Sequence, residues 1–576
     1  MRTPVFLNSL LRSTRRFLNQ GKRLPTYLGV LGTVFVLYLQ IAAPAAVFNL
    51  LNRIEYLIYD QRMASTANPE KSADNNIVIV DLDERSLQAE GQYPWNRIKL
   101  GQLTERLSEY GALVIGFDIT FPEPDRGVRD LLESVDLSQL DPVFSETLNQ
   151  IEDQINGDIY FANSMQQDAD VVLALNFNPQ SSVSYNELPD SIVDIGKELA
   201  KAVTVSDMRG FTGNISILHE SSAGSGSMNQ QPDVDGVVRR VPLIIRYGSE
   251  LFPTLSLEML RVYNFLESYE LVTQSYNNLE VVTAVRVGKG AGAFTIPTDG
   301  RGQVNVPYAG RSSLNSNEHY PYISATDVLR GTLSDEETLI LNNSLVLVGT
   351  SAPGLGDTRS VPLQRIYPGV EVHANILNAL LDSLAANTIN VSSGASDTQS
   401  VFASFEKADD IFFPYRPDWT QGAMFMVAMA LGLVLAMGFP FLGAATMAVS
   451  SLILIVLSIW TNFQLWTVYK LDFPLFLLLF LIFLITAINL VYGFLAESQT
   501  RKMIKGMFDQ YVPPAHIDSM LANPENYSFE GESKELTVLF SDIRGFTPIS
   551  EVLTATQLKK LLNDFFTPIT GLIFDH

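Results

Sequence analysis

The residues with the most chemical content lie near the C-terminus, in Glu535-Leu-Thr-Val-Leu-Phe-Ser-Asp-Ile-Arg-Gly-Phe-Thr547. Leu536 to Phe540 form an apolar run that predicts a buried strand. Asp542 follows at its end, where a carboxylate projects into a site. Gly545 lets the backbone come close to a ligand. The amides after it, at a helix start, suit phosphate oxygens. Beyond Ser550, the spacing Leu558, Leu561, Leu562, Phe565, Ile569, Leu572 predicts an amphipathic helix packed back on the strand. Pro568 is expected to bend or break it. Strand–Asp–Gly–helix is a phosphate–metal pattern that many folds share.

A second set of chemical groups lies further upstream. Asp81, Asp83, Asp118 and the segment Gly349 to Asp357 stand at the ends of apolar runs. Their carboxylates can hold a cation, or they can cap loops and helices, and the capping role is the expectation. Trp95 and Arg97 can stack on or clasp a ligand. A packed Trp beside a surface Arg is the plainer alternative. His373 stands alone at a helix start, which favours a capping or core role over metal binding.

Four apolar stretches must position these groups: 24–51, 420–437, 441–460 and 473–492. Each can cross a hydrocarbon core of about 30 Å. Pro44 is expected to kink the first. Trp419, Trp460 and Trp466 stand at span edges, where amphipathic rings sit. Apolar residues make up 47% of the chain and charged residues 18%, a balance that fits a membrane protein. Arg12, Arg15, Arg16, Lys22 and Arg23 precede the first span, and Arg501, Lys502 and Lys505 follow the last. The positive-inside rule therefore predicts a cytoplasmic N-terminus (1–23), an outer domain over 52–410 and a cytoplasmic segment from 495. No intramembrane charge marks a transport pathway.

The chain has no cysteine, which excludes disulfides, zinc–thiolate sites and thiol nucleophiles. Its net charge is −23. The first 51 residues hold six basic and no acidic side chains, and 419–576 hold eight basic and twelve acidic, so the intervening block is near −25. Such a block repels phosphate backbones, and no nucleic-acid partner is expected. Within it, strands are predicted at 76–83, 111–121, 170–177 and 344–350, and helices at 97–110 and 372–384. This order predicts an α/β domain with a largely parallel sheet. The polar stretch 125–235 reads as loops and peripheral elements.

Two resemblances follow from strings in these segments. IVIVDLDERSL, YPWNR, GALVIGFDITFPEPD, SATDVL, LVLVGTSAPGLGDTRSVP and PGVEVHANILNALL keep the order of the extracellular CHASE2 sensor family. That family places its domain between one span and a bundle of three. TVLFSDIRGFTPISE with LLNDFF, preceded by MFDQYVPP and FEGESKELT, resembles the opening of the class III adenylate/guanylate cyclase domain. Together they imply an α/β extracytoplasmic sensor domain, an α-helical transmembrane bundle of one plus three spans, and the start of an α+β, ferredoxin-like cyclase domain over 535–576. They also imply a multi-pass protein of the bacterial inner membrane, in contact with lipid.

The cyclase resemblance implies that Asp542 and the Ile543 carbonyl hold metal, two Mg2+ or Mn2+ ions per complete site. It implies that Gly545, Phe546 and Thr547 lie against the triphosphate of ATP or GTP, and that the working form is a homodimer. The family's second metal carboxylate lies beyond His576, so this polypeptide alone is expected to be inactive. The segment 495–534 is expected to transmit the signal, with a helical start (Ile504 and Phe508 on one face) and a short helix at His516–Leu521. The sensed extracytoplasmic ligand is not specified. The alternatives are a sensor-only membrane protein with a degenerate or truncated output, and a sensor kinase. The inner segment lacks a phosphoacceptor-His helix and a nucleotide-binding Gly-rich loop, which disfavours the kinase.

Overall fold

The computed structural model describes residues 23–67, 76–125, 156–191, 193, 202–276, 279–288, 293–316, 318–393, 412–417, 419–508, 535 and 537–575. The chain divides into two units, 1–494 and 495–576. The first opens with two helices, α1 (Arg23–Ala42) and α2 (Ala45–Thr66). Pro44, at φ −56 and ψ 146, caps the second. The predicted span 24–51 is thus two helices. A proline cannot sit inside a helix without losing a bond, but it fits the first turn of a new one.

The domain that follows is built on a sheet containing β1 (Ile77–Asp81), β2 (Val114–Phe117), β3 (Asp170–Asn178), β4 (Gly224–Ser227), β5 (Tyr322–Ser324) and β6 (Leu345–Gly349). The strands lie in the order β5-β1-β6-β2-β3, and β4 pairs with β3; all these pairings are parallel. Gly210–Thr212 adds an antiparallel strand beyond Asn176. The stretch 125–235, expected to be peripheral, therefore supplies both β4 and this strand. Smaller antiparallel sheets complete the domain, one of them from Tyr269–Tyr276, Leu279–Val287 and Phe294–Pro297.

Alternate strand residues feed two cores. Ile77, Ile79, Val114, Leu345 and Leu347 pack on one face against Leu257 and Leu260 of α4 (Leu255–Tyr263) and Ile376 and Leu380 of α5 (Gly369–Ser393). Val78, Val80, Ile115, Val346 and Val348 pack on the other against Leu100, Leu103 and Leu107 of α3 (Arg97–Glu109). Burial on both faces explains why these strands read as unbroken apolar runs. Asn96 caps Arg97–Glu109 by accepting from Lys99 N at 2.9 Å.

Three further helices are α6 (Trp419–Gly438), α7 (Ala444–Tyr469) and α8 (Phe476–Phe508). With α1 they are, among the described residues, the four helices long and apolar enough to cross a membrane. α1 meets α6 through small residues. A Cβ on Gly29 would stand 2.8 Å from Ala436 Cβ, and one on Gly432 would stand 2.4 Å from Thr33 Cγ2. α8 continues unbroken past its apolar part to Phe508, so the expected linker begins as an extension of the last span. The expected helix at 516–521 lies outside the described residues.

The second unit contains α9 (Phe546–Val552) and α10 (Ala555–Asp575). The buried strand expected over Leu536–Phe540 is not present in the described part, 537–540. These residues pair with no strand, and Val538, Leu539 and Phe540 are 66%, 68% and 92% exposed. A strand needs a neighbour to take its backbone bonds, and no described residue supplies one. α10 likewise leaves Phe565 and Leu572 partly exposed instead of packing on that strand. α10 runs on through Pro568 as one helix, and with no N–H the proline leaves one of its internal bonds unmade there.

Candidate functional site

The predicted outer carboxylates fall into two pairs at the C-terminal strand ends. Asp81 closes β1 and accepts from Ser351 N at 2.7 Å and from Ser351 Oγ. Burial pushes its carboxyl up to about 6, against those hydrogen bonds. Asp83 caps Glu84–Glu90, accepting from Ser86 N at 2.7 Å, and also accepts from Ser324 Oγ at 2.8 Å. These two acids do the work of loop and helix caps.

Asp118 and Asp357 form the second pair, with His373 and Arg359. Asp118 follows β2, and its Oδ1 stands 3.7 Å from Nε2 of His373 in α5. Neither atom makes a hydrogen bond. Burial pushes Asp118 up to about 7 and His373 down to about 4, so near neutral pH the imidazole is uncharged while the carboxyl is about half ionised. Asp357 pairs with Arg359 at 2.9 Å and is pushed up to about 6 by burial and by Asp118. Its carboxylate packs on Gly369, where a Cβ would come within 2.5 Å of both oxygens. His373 is buried, and Ser256 Oγ lies 3.2 Å from its Nδ1 and donates to its carbonyl at 2.9 Å. Among the described residues no three His, Asp or Glu side chains come together as a metal centre.

Trp95 is buried and donates to Gly91 O at 2.8 Å. Arg97, expected at the surface, is also buried: it lies 4.5 Å over the Phe121 ring, donates to Glu123 O at 3.2 Å and meets Asp158 at 3.6 Å. Both therefore serve the core.

A cluster that the sequence did not suggest joins α2 to the span ends. Arg62 donates to Asp472 at 2.7 Å, Asn462 at 3.1 Å and the Phe473 carbonyl at 3.2 Å. Arg416 donates to the other Asp472 oxygen at 2.6 Å. Burial would raise the Asp472 carboxyl, but Arg416 and Arg62 hold it below the usual range. Glu55 accepts from Leu475 N and Phe476 N, capping the start of α8 from another helix. Trp466, expected at the membrane interface, is buried here instead and donates to Thr66 at 3.0 Å. Two residues before Arg62 on α2, Asp60 accepts from Arg239 of the α/β domain at 2.7 and 2.8 Å. The contacts 62–472 and 60–239 put α2 between the α/β domain and the spans. Only residue identity at distant positions carries this arrangement, so no local pattern signals it.

In the second unit Asp542 is exposed, and its Oδ1 accepts from Ile543 N at 2.8 Å. Phe546 N donates to the Ile543 carbonyl at 3.2 Å. Gly545 has φ +77 and caps α9, so the glycine is required by the left-handed backbone. Phe546 and Thr547 open that helix.

The model of the CHASE2 domain matches residues 31–434. The chain belongs to the CHASE2 domain family. The match takes in most of α1, all of α2, the α/β domain and most of α6. The Asp118–His373 pair and the Arg62 and Asp60 ends of the α2 contacts thus lie within the CHASE2 region, and Asp472 lies after it. A receptor-type guanylate cyclase of Caenorhabditis elegans, gcy-28, is 35% identical over 81 residues, 14% of this chain. The chain spans 6% of that protein's length. No solved structure matches.

Proposed function

We propose that the chain is the sensing and membrane part, with the start of the output, of a bacterial receptor that makes a cyclic nucleotide. The CHASE2 region between α1 and α6 would lie outside the inner membrane and take the stimulus. The spans and the extension of α8 would carry it to a class III cyclase domain beginning at 535. The observation that carries this reading is the coincidence of CHASE2 membership with the string TVLFSDIRGFTPISE on the far side of the spans. The partial likeness to a receptor-type guanylate cyclase supports it.

Asp542 and the Ile543 carbonyl would supply oxygen ligands to Mg2+ or Mn2+. One carboxylate and one carbonyl make a partial donor set for an ion that takes six oxygens. Bound metal ions would lower the pKa of the attacking ribose hydroxyl and neutralise the triphosphate of ATP or GTP. Gly545, Phe546 and Thr547 would hold phosphate oxygens with backbone N–H groups. The donor set becomes complete with further residues of the domain and of a second subunit, which makes a homodimer the working form.

The test is to express the product of the whole reading frame in membranes and assay cAMP from ATP and cGMP from GTP with each metal. A cyclic product that falls by at least about a hundredfold in Asp542→Ala fits the proposal. No product from either nucleotide would leave a sensor without this output, and an unchanged rate in D542A would remove Asp542 from the metal site.

A further inference from the structure

A cavity of about 770 Å³ lies where the α/β domain meets α2 and the first turn of α6. Asn52 and Tyr56 line it from α2, Arg240 and Arg301 from the domain, Arg416 from the segment before α6 and Thr420 from the first turn of α6. Its size is that of a small-ligand site, about 300–1,000 Å³. It stands at the ends of two candidate spans. α1 ends at Ala42, and Gln40 donates to the carbonyl of Gln421, which also lines the cavity.

The acids and bases around this cavity differ in how far their charges are spent. Asp233 and Asp472 have side chains 7% and 5% exposed, and each is held by two arginines. Arg240 and Arg416 keep 36% of their side chains exposed, and Arg301 is exposed. Arg416 uses Nε and Nη2 on Asp472, and Arg240 uses Nη2 on Asp233. A guanidinium carries five donors, so both have capacity beyond these bonds. Tyr59, which also lines the cavity, is 4% exposed and its hydroxyl has no hydrogen-bond partner. Asp233, Asp472 and Glu55 are turned into the wall. Asp299 also lines the cavity, 25% exposed and 3.9 Å from Arg240 Nη1, while the forked donors of Arg416 and Arg301 remain accessible. That arrangement favours an anion, and the fork geometry matches phosphate.

We propose that this cavity binds a phosphate-bearing anion at the membrane surface. The inference builds on the sensing part of the proposed function and is independent of the cyclase part. An anion on Arg416 would compete with Asp472 for the guanidinium. Asp472 also holds Arg62 of α2, so occupancy would be felt at the start of α8. The ligand source is either a soluble phosphate compound or an anionic lipid headgroup.

The test uses the full chain in lipid nanodiscs, with hydrogen exchange read over 231–240, 299–305 and 415–417. In discs of phosphatidylcholine alone, slower exchange on adding millimolar inorganic phosphate indicates a soluble anion. Slower exchange only when phosphatidylglycerol is present indicates a headgroup. In either arm Arg240→Gln or Arg301→Gln should weaken the effect about tenfold, as expected for losing one charged hydrogen-bond donor. Arg106→Gln, on an exposed helix face away from the cavity, should leave it unchanged. Arg301 is exposed, so R301Q keeps the fold while removing the donor. No protection in either arm, or protection equal to wild type in both R240Q and R301Q, overturns the proposal. Cyclic nucleotide formation is not read, so a failed cyclase assay and a failed binding assay are separate results.

Discussion

Two apolar runs in this chain look alike in sequence and differ in structure. Leu345–Gly349 and the run ending at Phe540 are each followed by a glycine-containing turn. In the CHASE2 domain, Leu345, Val346, Leu347 and Val348 are 3% exposed or less, flanked by β1 and β2 in parallel register. In the second unit, Val538 to Phe540 stay exposed. A run of this kind encodes a preference for a strand, but the strand's hydrogen bonds come from other segments. A helix makes its bonds within itself, which is why α10 forms in the second unit without a sheet to lie on.

The largest effect is expected where the first unit has committed charge to its interior. Asp472→Ala removes the carboxylate that Arg62 and Arg416 share, leaving the buried Arg62 guanidinium without its close ion pair. The cost should be about 3–5 kcal/mol, read as a fall in the unfolding midpoint of the detergent-solubilised chain. Arg106→Ala should shift it little, because the Arg106–Glu109 pair is half-exposed. Equal midpoints for D472A and R106A would mean that the cluster does not hold the spans to α2.

Next is Leu347→Ala at the centre of β6. Its side chain is fully buried between helices, and truncation should cost about 2–5 kcal/mol in chemical denaturation. A loss below about 1 kcal/mol would place β6 in a looser core than the burial indicates.

The pH dependence should be smaller and opposite for two neighbouring groups. Asp118 is raised to about 7 in the folded state, so its favourable contribution is full below its unfolded value and is lost as pH rises through about 7. Asp357 and Asp81 act in the same direction, with folded values of about 6. His373 is lowered to about 4, so it costs stability as pH falls from its unfolded value toward 4. Above about pH 6.5 only the carboxylates titrate. Asp118→Asn should flatten the decline in stability between about pH 5 and 7, by on the order of 2 kcal/mol. An unchanged slope in thermal unfolding would show that the decline arises elsewhere.

Much of the first unit was legible because its elements are local or periodic. The strands β1, β2, β3 and β6, the helix Arg97–Glu109 and the four apolar helices all follow runs and spacings in single segments. What was missed depends on distant pairs. Arg62 and Asp472 are 410 positions apart, and nothing around either residue announces the other. Arg97 looked like a surface cation, yet Phe121 and Asp158 enclose it. Trp466 looked like an interface marker, yet Thr66 and Tyr59 receive it. The acids Asp81, Asp83, Asp118 and Asp357 were legible as one group at strand ends. The sheet order, which sets β6 between β1 and β2, separates them into two pairs.

The smallest effect is expected at Phe540. Its side chain is 92% exposed, so Phe540→Ala removes little packing and should change stability by no more than about 0.5 kcal/mol. Among the described residues no strand pairs with 537–540, so their amides should exchange nearly as fast as those of an unfolded peptide. The comparison with β6 breaks if Val538, Leu539 and Phe540 prove protected. Protection that grows with protein concentration would mean that a second copy supplies the missing neighbour, because exposed strand backbone is a ready template for pairing. In that case F540A should weaken association while leaving the CHASE2 domain's own unfolding unchanged.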